Sequence, residues 1–510
     1  MSKESWQRNA LAVSGFGLFS QSCALSAVVL VPPAIGAALG VDRAQLQWIG
    51  DTFLLTVGSL ILMAGSLVDR LGPKRVFFWG SLLFGLGGLL SALSQSRPEL
   101  IAARAVQGLG SAGLVPAGLG MVARAYSDGP SRGLAVGTWI ASAGLSLVVG
   151  PLGAGALVTA YGWPSAFFAL ADLGLIGAVA VAALPDMPGS LDLPFDIAGQ
   201  ILIATALFTT IALLIGTGNR MDWSQALYAL GAGAVLGGAF LMTERLVAHS
   251  LLPSDILRSL RYLLPVSLLC ALFISVDGFD LYNALFLQQI QGRSALAVAT
   301  LLLAAAVPVI LLSPQSGLLV GRMARYISVA GGFVCVAGGL KMLSTAGPAA
   351  SGICLELAYL LIGSGLGLAN SPLLITLAIT AVPVAGAGIA SGVAQAASLA
   401  GGVCGIGLTG AVTASWAESW LRQHAAEGSF TGSMLKEAAG GSITSGPPPR
   451  LIAEAFTHGL HAAYSGAVLL AAIAAAVAAG AALRERNRFQ SETTGPANVG
   501  YALPQGELAP

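Results

Sequence analysis

Gly65-Ser-Leu-Val-Asp69-Arg70-Leu-Gly72-Pro-Lys74-Arg75 sets one acid and three bases within seven residues, between two long apolar runs. Only 9% of the 510 residues are charged and 55% are hydrophobic, so a cluster this dense needs a cause. A short basic hairpin between two membrane spans is a cytoplasmic turn. Its Asp and Arg then sit where one helix end meets another.

Working outward, the mean hydropathy of +0.81 is too high for a soluble chain with so few charges to keep it dispersed. Apolar runs of about 20 residues recur, each long enough to cross a ~30 Å hydrocarbon core as a helix. Barrel strands would alternate apolar and polar residues over about 10 positions. The runs here are continuous, which predicts an all-α integral membrane protein. Its 67 glycines suit close helix packing through small residues. A net charge of +1 points to no nucleic acid partner. The first apolar run, about 10–39, is too long for a cleavable signal peptide. The five cysteines lie inside apolar runs without metal-ligand spacing and read as small core residues.

Fourteen spans are expected, with centres near residues 25, 58, 86, 112, 145, 174, 206, 234, 275, 305, 336, 366, 402 and 471. With the N-terminus inside, internal segments hold 15 of the 24 Lys and Arg and external ones 7. Both termini are therefore read as cytoplasmic. One internal loop, 185–196, runs against the pattern with three acids and no base. The expected organisation is a six-helix half (1–185), two inserted helices with a linker (186–262), and a second six-helix half (263–484) with an external connection over 416–454. A polar, disordered tail (485–510) follows. Gly317-Leu-Leu-Val-Gly321-Arg322-Met-Ala-Arg325 echoes the 65–75 hairpin, with Gly321 in the place of Asp69. That echo fits two homologous halves around a cavity at the bilayer midplane.

On these residues the chain resembles the major facilitator superfamily, and within it the fourteen-span drug:proton antiporters. Gly65, Asp69, Arg70, Gly72, Lys74 and Arg75 match the loop motif between spans 2 and 3. Arg104-Ala-Val-Gln107-Gly108-Leu-Gly110 matches the fourth-span motif. Gly150-Pro151-Leu-Gly-Ala-Gly155, with Gly137 upstream, matches the antiporter motif of span 5. Gln47-Trp48, Trp223, Glu244 and Ala455-Phe456-Thr-His-Gly459 fall where the fourteen-span group has such residues. Span 1 departs from the pattern: Ala24 stands where the family usually carries an Asp. The resemblance implies a proton-coupled exporter of drugs or other amphipathic small molecules in the bacterial cytoplasmic membrane, monomeric and without cofactor. A dedicated exporter of one endogenous metabolite or self-made antibiotic is the alternative.

Each candidate residue has a bland reading beside the functional one. Asp69 and Arg70 form either a latch between the two halves or a charged turn that obeys the positive-inside rule. Arg104 either tunes proton coupling, with Gln107 near substrate, or snorkels outward. Asp277 and Asp280, at i, i+3 in span 9, share a helix face; as neighbouring carboxylates in a cavity they suit proton coupling and attract cationic substrate. Span 9 is the repeat equivalent of span 1, so it is read as supplying the acid that span 1 lacks. The plainer alternative is a helix distortion around Gly278. Asp51 is a weaker coupling candidate and Asp172 in span 6 another weak one, each with an outer-edge placement as its plainer reading, and Gln288 closes span 9 as a substrate contact. His458 and His461 lack further ligands for a metal.

The latch reading predicts that Asp69→Asn inserts normally yet transports poorly; normal efflux at equal expression would count against it.

Overall fold

The computed structural model describes residues 2–40, 43–126, 129–191, 259–293, 295–319, 325–347, 350–369, 371–382, 387–424 and 450–494, with scattered residues between 199 and 242. All regular structure among them is helical. The first half contains α1 (Lys3–Leu30), the short α2 (Pro32–Leu39), α3 (Arg43–Leu71), α4 (Pro73–Leu93), α5 (Arg97–Ala125), α6 (Gly129–Tyr161) and α7 (Pro164–Ala182). The second contains α8 (Leu260–Leu285), closed by a π-helical turn (Phe286–Ile290), then α9 (Ala295–Gly317), α10 (Arg325–Leu343), α11 (Gly352–Ala369), α12 (Ser371–Thr380), α13 (Ala387–His424) and α14 (Arg450–Thr494). Prolines open α4 and α7, where a missing N–H costs no intrahelical bond.

Eleven stretches among the described residues are long and apolar enough to cross a membrane, α11 and α12 together forming one of them. α1 packs against α5, α6 and α7 in the same bundle. Twelve of the expected span centres fall on these helices. The centres near 206 and 234 fall where only scattered residues are described, and Trp223 and Glu244 lie outside the described residues. Two boundaries differ from the sequence reading. Helix continues to His424 and resumes at Arg450, inside the expected 416–454 connection. α14 also runs on to Thr494, so 485–494, assigned to the tail, is helical. Glu485 explains part of that extension, because it is fastened to Arg325 at the start of α10.

Lipid is as apolar as leucine, so helices in a membrane associate through close packing rather than hydrophobic drive. Here the close packing runs through glycine. A Cβ on Gly80 (α4) would lie 2.9 Å from the Gly110 carbonyl of α5, and one on Gly365 (α11) 2.5 Å from the Gly332 carbonyl of α10. These are the third and fourth spans of each half, joined in the same way. Gly85 and Gly174 bring α4 onto α7 with similar closeness.

The halves meet with matching geometry. α3, the second span of the first half, packs on α13, the fifth of the second; α9, the second span of the second half, packs on α6, the fifth of the first. This reciprocity is what a pseudo-two-fold between repeats requires. Gly137 of α6 stands against Ser313 and Pro314 of α9, with 2.3 Å from its ideal Cβ to the Ser313 carbonyl. Gly317 stands against Gly133, where the corresponding distance is 1.9 Å, and Gly392 of α13 faces Ile61 and Leu62 of α3. By the antiparallel course of the helices, these contacts run from the middle of the bundle to the end bearing the α3–α4 turn. Val115, Leu119, Val122, Ala135, Val136 and Trp139 share one buried cluster with the second half at that same end. Gly150 and Pro151 are buried within α6, which continues unbroken past them to Tyr161, and Gly155 is half-buried.

The α6–α9 joint leaves no space for a side chain, and the atoms in the way are backbone, which no rotamer can move. Gly317→Val is expected to insert but to lose at least about tenfold in transport rate, equivalent to ~1.4 kcal/mol. Labelling of a cysteine placed at the turn end should rise as the joint opens. Unchanged labelling and rate would rule out a closed joint there.

Candidate functional site

The 65–75 turn is built on a backbone that only glycine supports. Gly65 is buried in α3, and α3 ends at Leu71. Gly72 adopts φ +90° before Pro73 starts α4. Asp69, Arg70 and Lys74 are half-buried and Arg75 is exposed. Several contacts at this turn tie it within the first half. Lys74 Nζ donates to the Leu184 carbonyl at 2.5 Å and pairs with Asp186 at 2.9 Å. The Asp69 carbonyl accepts the Ser190 N–H at 3.0 Å. Arg124, at the end of α5, donates to the Pro188 carbonyl at 2.7 Å and is attracted by Asp69. The hydrogen bond from Lys74, and then its charge, hold the Asp186 carboxyl below its ordinary range. The acid-rich 185–196 loop thus has a physical reason: its first acid faces the basic turn. Asp192 and Asp196 lie outside the described residues.

Arg104 does not snorkel. It is 0% exposed, held between helices of the first half. Its Nη1 donates to Gln107 Oε1 at 2.6 Å and its Nε to the Ile49 carbonyl of α3 at 3.4 Å. The guanidinium carbon lies 4.5 Å from the Phe53 ring centre and 5.9 Å from that of Phe167 in α7. A buried guanidinium costs several kcal/mol unless compensated, and aromatic faces compensate part of that. Arg104 Nη2, Gln107 Nε2 and Ser111 Oγ are buried without a hydrogen-bond partner among the described residues. Asp51 is half-buried on α3, but at 100° per residue it occupies the side opposite Ile49 and Phe53.

In the second half, α8 continues as one helix past Gly278. Gly278 is a packing point, with its ideal Cβ 2.4 Å from the Gly405 carbonyl of α13. Asp277, half-buried, lays its carboxylate on Gly402 of the same helix, 2.1 Å from an ideal Cβ there. The Asp280 side chain lies outside the described residues, as does that of Gln289. Gln288 is exposed in the π-helical turn. On α7, Asp172 is exposed.

Sequence reasoning missed a further polar group on α8. Asn283, 1% exposed, donates to the Tyr359 hydroxyl of α11 at 2.8 Å and accepts from the Tyr464 hydroxyl of α14 at 3.4 Å. Phe279 packs edge-on against both tyrosine rings, at 5.1 and 6.1 Å. The signal was an amide in an apolar helix and two tyrosines whose hydroxyls need partners when buried. The partners are far apart in sequence, so no spacing reveals them. His461 Nε2 makes a hydrogen bond with the Ala346 carbonyl at 2.9 Å, and the His458 ring lies 5.9 Å from that of Trp416. Both histidines tie α14 to its neighbours.

Comparison with known proteins agrees with this architecture. The chain is 30% identical over 417 residues to the multidrug resistance protein Stp of Mycobacterium tuberculosis, a match covering 81% of this chain and 77% of that protein. It is 28% identical over 476 residues to the tetracenomycin C resistance and export protein of Streptomyces glaucescens, covering 88% and 87%. A probable actinorhodin transporter of Streptomyces coelicolor is 30% identical over 429 residues, covering 81% and 73%. Among solved structures, the human organic anion transporter MFSD10 superposes with a TM-score of 0.63 at 14% identity, covering 92% of this chain and 99% of that one. The proton:xylose symporter XylE gives the same score and identity, with 92% and 95% covered. The profile of the Major Facilitator Superfamily matches residues 12–406. With two helical halves joined reciprocally, a glycine-hinged basic turn and this match across most of its length, the chain is a multi-pass membrane protein of the Major Facilitator Superfamily.

Proposed function

We propose that the protein is a proton-coupled antiporter that exports drugs or other amphipathic small molecules across the bacterial cytoplasmic membrane by alternating access. The observation that carries this reading is the placement of ionisable groups inside apolar helices of both halves. Arg104 is buried in the first half and Asp277 stands at the α8–α13 contact of the second. Intramembrane charges are costly and mark transport pathways. Both termini are cytoplasmic in this reading, so the joints at the α3–α4 turn end close the inner side. Protonation of the α8 carboxylate from outside favours release of substrate, and its deprotonation to the inside resets the cycle. Exchange requires each ligand to weaken the other reciprocally. Asp277 and Asp280 carry the proton and attract cationic substrate; Arg104 tunes the coupling and Asp51 is a secondary site. Gln107 and Gln288 offer hydrogen bonds to the cargo. The protein works as a monomeric carrier rather than an enzyme, with no cofactor.

A second reading has its own support. The similarity to a tetracenomycin C resistance and export protein and to a probable actinorhodin transporter favours a dedicated exporter of one self-made antibiotic. Survival of a sensitive host on a chemically diverse toxicant panel separates the two: protection against many classes supports the broad exporter, and protection against one class the dedicated one.

In vesicles with an imposed proton gradient, substrate should dissipate the gradient. Asp277→Asn or Asp280→Asn should reduce this exchange by at least about tenfold, and retention of proton-driven transport by both variants would falsify the coupling role. Arg104→Gln is expected to lose coupled accumulation while Arg104→Lys retains part of it, because Lys keeps the charge but not the planar stack on Phe53. Equal activity of the two would show that the guanidinium geometry is irrelevant.

A further inference from the structure

The segment that leaves α7 does not simply run away from the bundle. Leu184 and Met187 are buried in the first-half core, and the chain between them and Ser190 lies across the α3–α4 turn. Two glycines make this possible, and only Gly72 belongs to the motif. An ideal Cβ on Gly72 would lie 2.0 Å from the Met187 carbonyl and 2.9 Å from the Gly189 nitrogen. One on Gly189 would lie 2.3 Å from the Arg70 carbonyl and 2.5 Å from the Gly72 nitrogen. The two stretches of backbone are in direct contact, and each contact excludes a methyl group on the other side.

Polar contacts fix the segment along its length. Lys74 holds the Leu184 carbonyl, Arg124 holds the Pro188 carbonyl, and the Ser190 N–H is given to the Asp69 carbonyl. The second half reaches a comparable result by other means. Arg325, at the start of its third span, pairs with Glu485 on its sixth, with Nε to Oε2 at 3.0 Å. Each half therefore ties its third span to its sixth at the turn end. The first half does so with an extended strap that also crosses the turn carrying Asp69.

We propose that residues 184–190 form a strap that positions the α3–α4 turn for transport, and that Gly189 is a positioning residue acting through that turn. Lys74 and Arg124 then serve as holders of strap carbonyls as well as positive-inside charges. Asp186 contributes little, because its side chain is 93% exposed and solvent-exposed pairs add little.

The test uses the full-length chain in proton-loaded vesicles. It rests on the transport reading, which wild-type flux in the same vesicles checks separately. Gly189→Ala should lower turnover by at least about tenfold with the substrate KM within about threefold, since the cargo site is remote and only positioning is lost. Asp186→Asn should stay within about twofold of wild type. Hydrogen exchange gives a readout that turnover alone does not: the Ser190 amide should be protected in wild type and should exchange faster in Gly189→Ala. Should Gly189→Ala fail to reach the membrane, Ser190→Pro, which deletes the N–H given to Asp69, is expected to show the same turnover loss. Full turnover in either variant, a KM that moves as far as turnover, or an unprotected Ser190 amide in wild type would overturn the proposal.

Discussion

The fold depends on direct contact between helix backbones. Inside a bilayer every helix satisfies its own hydrogen bonds, and lipid offers side chains no worse surroundings than a neighbouring helix. What remains to hold helices together is how closely they approach. Glycine sets that limit at the α4–α5 and α10–α11 pairs, at the α6–α9 joint between halves and at the α3–α4 turn. The same residue type thus fixes the interior of each half and the surface on which the halves meet. Backbone contacts of this kind have few intermediate positions, which suits a molecule that must hold one arrangement or another.

Much of this was legible in the sequence. The helices follow from uninterrupted apolar runs, and the turn at Gly72 from a Gly-Pro pair after a charged helix end. The burial of Arg104 could be argued from its distance inside span 4, although the snorkelling alternative was settled only by the aromatic rings around it. Phe53 and Phe167 come from two other helices, and one sequence holds no record of which helices touch. For the same reason the contact of Gly278 with Gly405 could not be read from the sequence, and Asn283 passed unnoticed without its two tyrosine partners.

The strap was the least legible part. Its acids registered as an exception to the charge pattern, and its glycine as one of 67. A segment with no periodicity gives no phase from which to read its facing residues. Its meaning comes from Lys74, Arg124 and the backbone of Asp69 to Gly72, which lie on other parts of the chain. The helix extension at 485–494 has the same origin, because a polar stretch that looks like a tail stays helical when one of its carboxylates is anchored at Arg325.

The aromatic cradle of Arg104 has an electrical consequence. A guanidinium balanced by a carboxylate would be neutralised or exposed each time a proton came or went. Ring quadrupoles do not titrate, so the faces of Phe53 and Phe167 compensate the Arg104 cation in a way that no proton can cancel. Arg104 therefore holds its charge in the first half without depending on a carboxylate beside it.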